Sequence, residues 1–264
     1  MCFSPPWAQE GEKCDRVSVR AALTRQSCFD TFTRRALSPG DGCVPILLKS
    51  PRVVTPRKRS IMPNVDNWNR LYRTQGHDLP WCVEKMPSWF TEVVDSGWMH
   101  ACKALDVGCG VGNYAYHLAE RGYDILCMDH SETAIALARE KNSHPSLRFV
   151  IESTENLGAL GETFDLIYDI SLLHHLKPHL RDDYAFQLSA LLNAGGKLMV
   201  CVFSDDEARF GKTNEFMNPV TSTITSLLSK EEIVSTFEPY FTFDKLEKIP
   251  FDHYLRYLCL MRKK

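Results

Sequence analysis

The sequence lacks three features that would each define a class of protein. No uninterrupted apolar run approaches the ~20 residues that a helix needs to span a bilayer, so we expect no membrane partner. The ten cysteines form no CxxC pair, and none lies at zinc-ligand spacing from histidines. Several stand inside apolar runs, as Cys127 and Cys201 do, which indicates small buried side chains in a reducing compartment. We therefore expect neither disulfides nor a metal site.

The chain also has no excess of basic residues outside its N-terminal quarter. Residues 1–61 contain eleven Lys and Arg against five Asp and Glu, and residues 62–264 contain twenty against twenty-eight, so the net charges are +6 and −8. Binding to a phosphate backbone requires a basic face. The acidic body therefore argues against DNA or RNA as the main partner.

Residues 1–61 differ in composition from the rest of the chain. They contain six prolines, scattered Arg and Ser, and few aromatic residues, so they bury too little surface to offset their ordering entropy. Residues 16–38 are rich in Arg, Ser, Thr and Ala, which is typical of an organellar transit peptide. A plain disordered tail and a start site misplaced upstream of Met62 are equally open. We expect one domain over 62–264 and a cytoplasmic location, or a mitochondrial or plastid location if the tail is a transit peptide.

From residue 65 onward, short apolar segments alternate with segments of helical pattern. The predicted strands are 103–108, 124–129, 147–151, 164–169 and 197–203, and the predicted helices are 67–73, 87–96, 113–121, 132–141 (capped by Ser131), 182–192 and 229–237. Two β-like segments, 241–248 and 253–261, follow without a helix between them, which predicts a hairpin. Continuously apolar strands separated by helices are typical of a parallel sheet covered on both faces. The sequence therefore predicts a doubly wound α/β fold with a mostly parallel seven-stranded sheet and an antiparallel C-terminal hairpin strand.

A glycine-rich turn follows the first predicted strand. It reads Asp106-Val-Gly-Cys-Gly-Val-Gly-Asn113, with the glycines at Gly108, Gly110 and Gly112. A dinucleotide-binding GxGxxG would need its third glycine at position 113, which is Asn. Asp129 ends the second strand, nineteen residues after Gly110, where its carboxylate can accept hydrogen bonds from two vicinal ribose hydroxyls. This pairing indicates a ligand with a ribose at the carboxyl edge of the sheet.

The sequence resembles the class I S-adenosylmethionine-dependent methyltransferases. The motifs that carry the resemblance are Ala104-Leu-Asp-Val-Gly-Cys-Gly-Val-Gly112, Met128-Asp-His-Ser131, Phe149-Val-Ile-Glu-Ser-Thr-Glu-Asn-Leu157, Phe164-Asp-Leu-Ile-Tyr-Asp-Ile-Ser-Leu-Leu-His-His-Leu176 and Leu192-Asn-Ala-Gly-Gly-Lys-Leu198. The resemblance implies S-adenosyl-L-methionine as the cofactor. It places Asp106 and the three glycines at the methionine part, Asp129 at the ribose, Ser153 and Thr154 beside the adenine, and Asp169 and Ile170 at the transferred methyl.

A finer resemblance is to the branch that contains thiopurine, thiol and halide methyltransferases and tellurite-resistance methyltransferases. Its marks are Trp68-Asn-Arg-Leu-Tyr72, Leu79-Pro-Trp81, Tyr168-Asp169 and Cys201-Val-Phe-Ser-Asp-Asp206. In that branch the N-terminal tryptophan segment folds over the cofactor, which implies that role for Trp68 and Trp81. The thiopurine enzymes have Arg where this chain has Ile170, so substrate identity does not carry over.

Three functional hypotheses remain open from the sequence. The first is a methyltransferase for a small molecule, with a thiol or another soft nucleophile as acceptor, acting as a monomer or weak dimer. The second is an O- or N-methyltransferase of a natural product or a protein side chain, which would need a general base within reach. Asp169 and His174 are the candidate catalytic residues, while His175 is interpreted as packing. The third is a non-catalytic module that binds the cofactor.

Overall fold

The structure, a computed structural model, describes residues 65–206, 214–251 and 254–264. The helices are α1 Val65–Gln75, α2 Ser88–Asp95, α3 Asn113–Ala119, α4 Glu132–Lys141, α5 Pro178–Leu191 and α6 Lys230–Phe237. The strands are β1 Lys103–Val107, β2 Asp124–Asp129, β3 Leu147–Ile151, β4 Phe164–Ile170, β5 Leu192–Phe203, β6 Glu215–Met217, β7 Ile224–Ser226, β8 Phe241–Phe251 and β9 Tyr254–Lys263. The predicted tail, residues 1–61, lies outside the described residues.

Seven of these strands form one twisted sheet in the order β3-β2-β1-β4-β5-β9-β8. The first five strands are mutually parallel, and β9 pairs antiparallel with both β5 and β8. The chain reverses its direction of winding between β1 and β4, and in such folds ligands bind at that point, beyond the carboxyl ends of the strands. The predicted fold class is confirmed, including the antiparallel C-terminal hairpin.

Local signals in the sequence determine several helix ends. The Ser131 hydroxyl accepts a hydrogen bond from the Ala134 N–H at 3.1 Å and begins α4. Ser229 and Glu232 form the predicted capping box at the start of α6. Helix α5 begins a turn earlier than predicted because Pro178, which lacks an N–H, fits the first helical turn.

The two faces of the sheet carry separate hydrophobic cores because strand side chains alternate between faces. Along β5, Leu198, Val200 and Val202 pack under α5 and α6, whereas Met199 and Cys201 pack under α2 and α3. All five side chains are fully buried. This double burial explains why the central strands are apolar throughout and makes the carboxyl edge of the sheet a rigid base for the site.

A small hairpin, β6–β7, was not predicted from the sequence. Its strands are three residues long and pair antiparallel outside the main sheet. It lies in the segment between β5 and α6, and the Asn67 side-chain amide on α1 donates a hydrogen bond to the Ser222 carbonyl in its turn at 2.9 Å. We name residues 214–226 the flap.

Within the described part of the chain, no helix combines the length and apolarity needed to cross a membrane.

Candidate cofactor and acceptor site

A deep cleft opens at the carboxyl edge of the sheet between α1, the glycine-rich turn and the flap. The empty space inside it, which includes open solvent at the mouth, is about 1270 Å³. The cleft is lined by side chains and backbone from α1, β1, β2, β4, β9 and the flap.

The glycine-rich turn leaves no room for side chains at three positions. Gly108, Gly110 and Gly112 have φ values of 75°, 55° and 76°, in the left-handed region that glycine tolerates. A Cβ added at Gly110 would lie 2.7 Å from the Tyr72 hydroxyl, which covers the turn. A Cβ at Gly112 would instead meet the Phe149 ring at 2.9 Å. Gly108 and Gly110 therefore border the cleft, whereas Gly112 lets the turn pack against β3 and does not line it.

Asp129 lies beside the turn, as the sequence predicted. One carboxylate oxygen accepts the Gly110 N–H at 3.0 Å, and the other accepts the Ser131 N–H at 2.8 Å. Each oxygen keeps a free lone pair for a further donor. The two backbone bonds hold the carboxylate at the end of β2, where it lines the cleft.

Three aromatic residues of the N-terminal segment cover this part of the cleft. Trp68 and Trp81 pack edge to face with ring centroids 5.7 Å apart, and the Trp81 indole N–H donates to the Tyr72 hydroxyl at 3.1 Å. Helix α1 is anchored to α4 through Asn69, whose side-chain oxygen accepts from the Ser131 hydroxyl at 2.7 Å. Trp68, Trp81 and Tyr72 thus line the cleft together, and the cover of the cofactor by Trp68 and Trp81 stays a prediction.

Acidic side chains collect at this end of the cleft. Asp106 is 4% exposed, and burial raises its pKa well above the usual range, opposed by the Tyr168 hydroxyl and reinforced by the charges of Asp129 and Asp169. Glu152, which had no predicted role, also lines the cleft just after β3. An acidic end suits a ligand that presents hydroxyl, amine or other positively polarised donors.

The two residues predicted to lie beside an adenine have different positions. Thr154 is buried and lines the cleft. Ser153 does not line it, because its hydroxyl accepts the Glu155 N–H at 3.2 Å and begins the following turn. Of this pair, the structure brings only Thr154 to the site, together with Glu152.

The position of Asp169 argues against direct contact with a ligand. Its side chain is fully buried and does not line the cleft. The carboxylate accepts the Leu172 N–H at 2.8 Å, the Leu173 N–H at 3.1 Å and the Tyr184 hydroxyl at 2.9 Å. Its acceptor capacity is thus directed at the loop after β4, so we correct its predicted role in catalysis and cofactor contact to positioning that loop. Ile170, next in the chain, does line the cleft.

Two adjacent histidines line the far end of the cleft. Burial, with smaller effects from His175, Arg256 and Arg181, lowers the pKa of His174 well below its usual range. Burial likewise lowers the pKa of His175 to about 4. A hydrogen bond with the Ile224 backbone opposes this shift, and the charges of Arg256 and His130 add to it. Both imidazoles are therefore neutral at pH 7. The His175 ring packs against Trp68 at 5.0 Å, which agrees with a packing role, whereas no described residue bonds to Nδ1 of His174.

Several lining residues had no predicted role. Ser171 and Phe203 lie within quoted motifs, whereas Asn218, Thr221 and Arg256 come from parts of the sequence that carried no motif. No pattern in the sequence distinguished Asn218, Thr221 or Arg256. Among the described residues, no group of three or more His, Cys, Asp or Glu side chains could hold a metal ion, and His179 lies on the exposed surface of α5.

The residues at the acidic end fit S-adenosylmethionine. A turn without side chains lies beside a backbone-anchored carboxylate, and an aromatic cover closes over both. The gap between Gly110 and Asp129 is spanned by a single hydrogen bond and opens on the cleft. Together with the strand order, this arrangement defines a nucleoside-binding α/β domain with the class I methyltransferase fold.

Comparison with known proteins gives the same assignment. A family described as "Methyltransferase domain" matches residues 104–196. A 2-heptyl-1-hydroxyquinolin-4(1H)-one methyltransferase of Mycobacteroides abscessus is 27% identical over 164 residues, which cover 61% of this chain and 71% of the relative. A probable thiol methyltransferase 2 of Arabidopsis thaliana is 28% identical over 139 residues, 52% of this chain and 62% of the relative.

A solved structure has the same fold. The 1,6-didemethyltoxoflavin-N1-methyltransferase of Burkholderia thailandensis, which was solved with S-adenosylhomocysteine bound, superposes with a TM-score of 0.62 at 20% identity, over 76% of this chain and 88% of its own. The chain thus contains an S-adenosylmethionine-dependent methyltransferase domain with the class I fold, and S-adenosylmethionine is its cofactor.

Proposed function

We propose that this enzyme methylates a small molecule whose accepting atom is a soft or readily ionised nucleophile. A thiol is the acceptor that we favour. The observation that carries the proposal is the weakness of the bases at the acceptor end of the cleft. Burial lowers the pKa of both His174 and His175, and the Asp169 carboxylate is engaged by the loop. A thiolate or another ionised acceptor needs no proton removal by the protein.

The protein's contribution to the reaction is then orientation and exclusion of water. The bound cofactor supplies a methyl group already activated on a sulfonium sulfur. The glycine-rich turn and Asp129 hold one end of the cleft, while Ile170 and the loop after β4 border the middle. Trp68 and Tyr72 cover the cleft from α1 and limit the access of water. Orientation of this kind can account for roughly 7–11 kcal/mol of a reaction barrier.

Methyl transfer to oxygen or nitrogen is the second candidate. The relatives support both, because one is named for a hydroxyquinolinone and another for thiols. An acidic hydroxyl, such as one on an aromatic heterocycle, ionises without help from a protein base, as a thiol does. The weak bases of the cleft therefore suit it as well. An ordinary alcohol or an amine would require a stronger base than the buried histidines provide. The acidic body of the chain, net −8 over residues 62–264, supports small molecules over nucleic acids as partners.

The direct test is methyl transfer from radiolabelled S-adenosylmethionine to matched acceptors. Benzenethiol, phenol and aniline present sulfur, oxygen and nitrogen on the same ring. We expect product from the thiol at a rate well above that from phenol, and none from aniline. Transfer to aniline alone, by a protein that binds the cofactor, would contradict the proposal.

His174 distinguishes a base-dependent reaction from one that needs no base. At saturating acceptor, His174→Ala should leave the rate with an ionised thiol within a few-fold of wild type, whereas base-dependent transfer should fall about 10²-fold or more. His179→Ala is the matched control, because His179 is an exposed histidine on α5 outside the cleft. We also propose that the enzyme acts as a monomer or weak dimer in a reducing compartment, which gel filtration and localisation of a tagged full chain would test.

A further inference from the structure

The acceptor end of the cleft contains a buried cation. Arg256 lies on β9 opposite Phe203 of β5, and its side chain is 6% exposed and lines the cleft. Its guanidinium carbon is 4.5 Å from the centre of the Phe203 ring, and Nη1 donates a hydrogen bond to the Ser171 hydroxyl. An arginine remains charged at any physiological pH. The cleft thus has an acidic end at Asp129 and a cationic end at Arg256.

Ser171 is held in a strained conformation beside this cation. It follows Ile170 directly and has a φ of 79°, in the left-handed region that is unfavourable for a residue with a Cβ. Its N–H donates to the Cys201 carbonyl at 2.9 Å, so the backbone is fixed in this position. Strain of this kind clusters at ligand sites. Here the strained backbone directs the Ser171 hydroxyl at Arg256, next to Ile170.

A third polar group in the same corner lacks a partner. The His174 ring lies 4.5 Å from the Phe203 ring, on a side chain that is 1% exposed. None of the residues described bonds to its Nδ1. A buried polar atom without a partner destabilises the fold, so its presence beside a cleft indicates that a ligand group reaches this corner.

We propose that Arg256, Ser171 and His174 form an anion-recognition subsite, which selects acceptors carrying a negatively charged oxygen or sulfur. The ring of Phe203 supports the guanidinium from one side, so the fork of N–H donors is oriented before the acceptor arrives. The anion is either the ionised accepting atom or a carboxylate elsewhere on the acceptor. In both cases a neutral analogue lacks the charge that attracts it to the guanidinium, and a protonated amine is repelled. The inference rests on the proposed function, because it names the acceptor class of the same site.

The test uses the purified full chain. Calorimetry first measures binding of S-adenosylhomocysteine, the product form of the cofactor, which reports on the cofactor site alone. The protein is then saturated with S-adenosylhomocysteine, and the binding of benzoate and 4-nitrophenolate is compared with that of their neutral counterparts, benzamide and nitrobenzene. We expect at least one anion to bind about ten-fold or more tightly than its neutral counterpart. Preference for benzoate alone assigns the subsite to a carboxylate, and preference for 4-nitrophenolate alone assigns it to the ionised accepting atom.

Variants connect this preference to the subsite. Arg256→Gln should abolish the preference for anions and leave cofactor binding within about two-fold. Arg262→Gln, six residues further along β9 and paired with Asp244 at 2.7 Å, is the control that should keep the preference. Ser171→Gly provides a second test, because it relieves the strained φ and should fold even if Arg256→Gln does not. It should weaken anion binding at least three-fold without lowering the melting temperature.

Two outcomes overturn the proposal. One is a wild-type protein that binds S-adenosylhomocysteine but shows no preference for either anion. The other is a preference that persists in Arg256→Gln or, where that variant does not fold, is unchanged in Ser171→Gly. Failure to bind the cofactor product, in contrast, would contradict the proposed function itself. Methyl transfer to a neutral thiol by a protein without anion preference would contradict only this inference.

Discussion

Gly110→Ala tests whether the turn and its aromatic cover act together on the cofactor. Any L-residue at the φ of 55° found at Gly110 costs roughly 1–2 kcal/mol of stability. In addition, the new Cβ would lie 2.7 Å from the Tyr72 hydroxyl. Tyr72 is 4% exposed and accepts the Trp81 N–H at 3.1 Å, so its ring cannot move without disturbing that bond. Loss of a hydrogen bond of this kind costs about 1 kcal/mol.

The effect on cofactor binding can be separated from the effect on stability. Gly195→Ala has a comparable φ of 72°, and its Cβ would meet nothing within 4 Å, so it should lower stability by a similar amount and leave binding unchanged. Gly110→Ala should weaken S-adenosylhomocysteine binding about ten-fold or more, which corresponds to about 1.4 kcal/mol. Isothermal titration calorimetry measures the binding, and urea denaturation measures the stability of both variants.

A double-mutant cycle with Tyr72→Phe identifies the atom responsible. Removing the hydroxyl leaves the ring carbon Cζ as the nearest atom, at 3.7 Å from the added Cβ, which is an ordinary contact. The alanine should therefore cost less binding in the Tyr72→Phe background than in the wild type, with a coupling of at least about 0.5 kcal/mol. Equal losses in the two backgrounds, or an affinity for Gly110→Ala within two-fold of wild type, would refute this reasoning.

Three further predictions concern the acids and the tail. Asp129→Asn should weaken S-adenosylhomocysteine binding roughly 10–100-fold, measured by calorimetry, because an amide N–H then faces the Gly110 N–H. The control Asp124→Asn, at the exposed start of β2, should bind like wild type. Burial raises the pKa of Asp169 from 3.8 to about 6, so its ionisation destabilises the fold as pH rises through that interval. The free energy of unfolding of Asp169→Asn minus that of wild type, measured in urea, should thus rise by up to about 3 kcal/mol between pH 4 and pH 8. A pH-independent difference would contradict this. Removing residues 1–61 should leave cofactor binding unchanged, and its loss in a folded truncated protein would show that the tail contributes to the site.

The sequence by itself determined the features that depend on neighbours along the chain. The bounds of β2, β3 and α4 were predicted without error, because apolar runs, a capping serine and flanking turns act locally. The glycine-rich turn and Asp129 were also predictable, since β1 and β2 are adjacent parallel strands that end at the same edge. Their hydrogen bond follows from that adjacency.

Only the tertiary structure decided the acceptor end of the cleft. Asp169 could have pointed into the cleft or behind the sheet, and the N–H groups of the loop after β4 together with Tyr184 turn it away. Arg256 enters the cleft because β9 inserts antiparallel between β5 and β8 in a register that places it opposite Phe203. A shift of one residue would move its side chain to the other face of the sheet. That register depends on contacts between distant parts of the chain, which no local pattern in the sequence encodes.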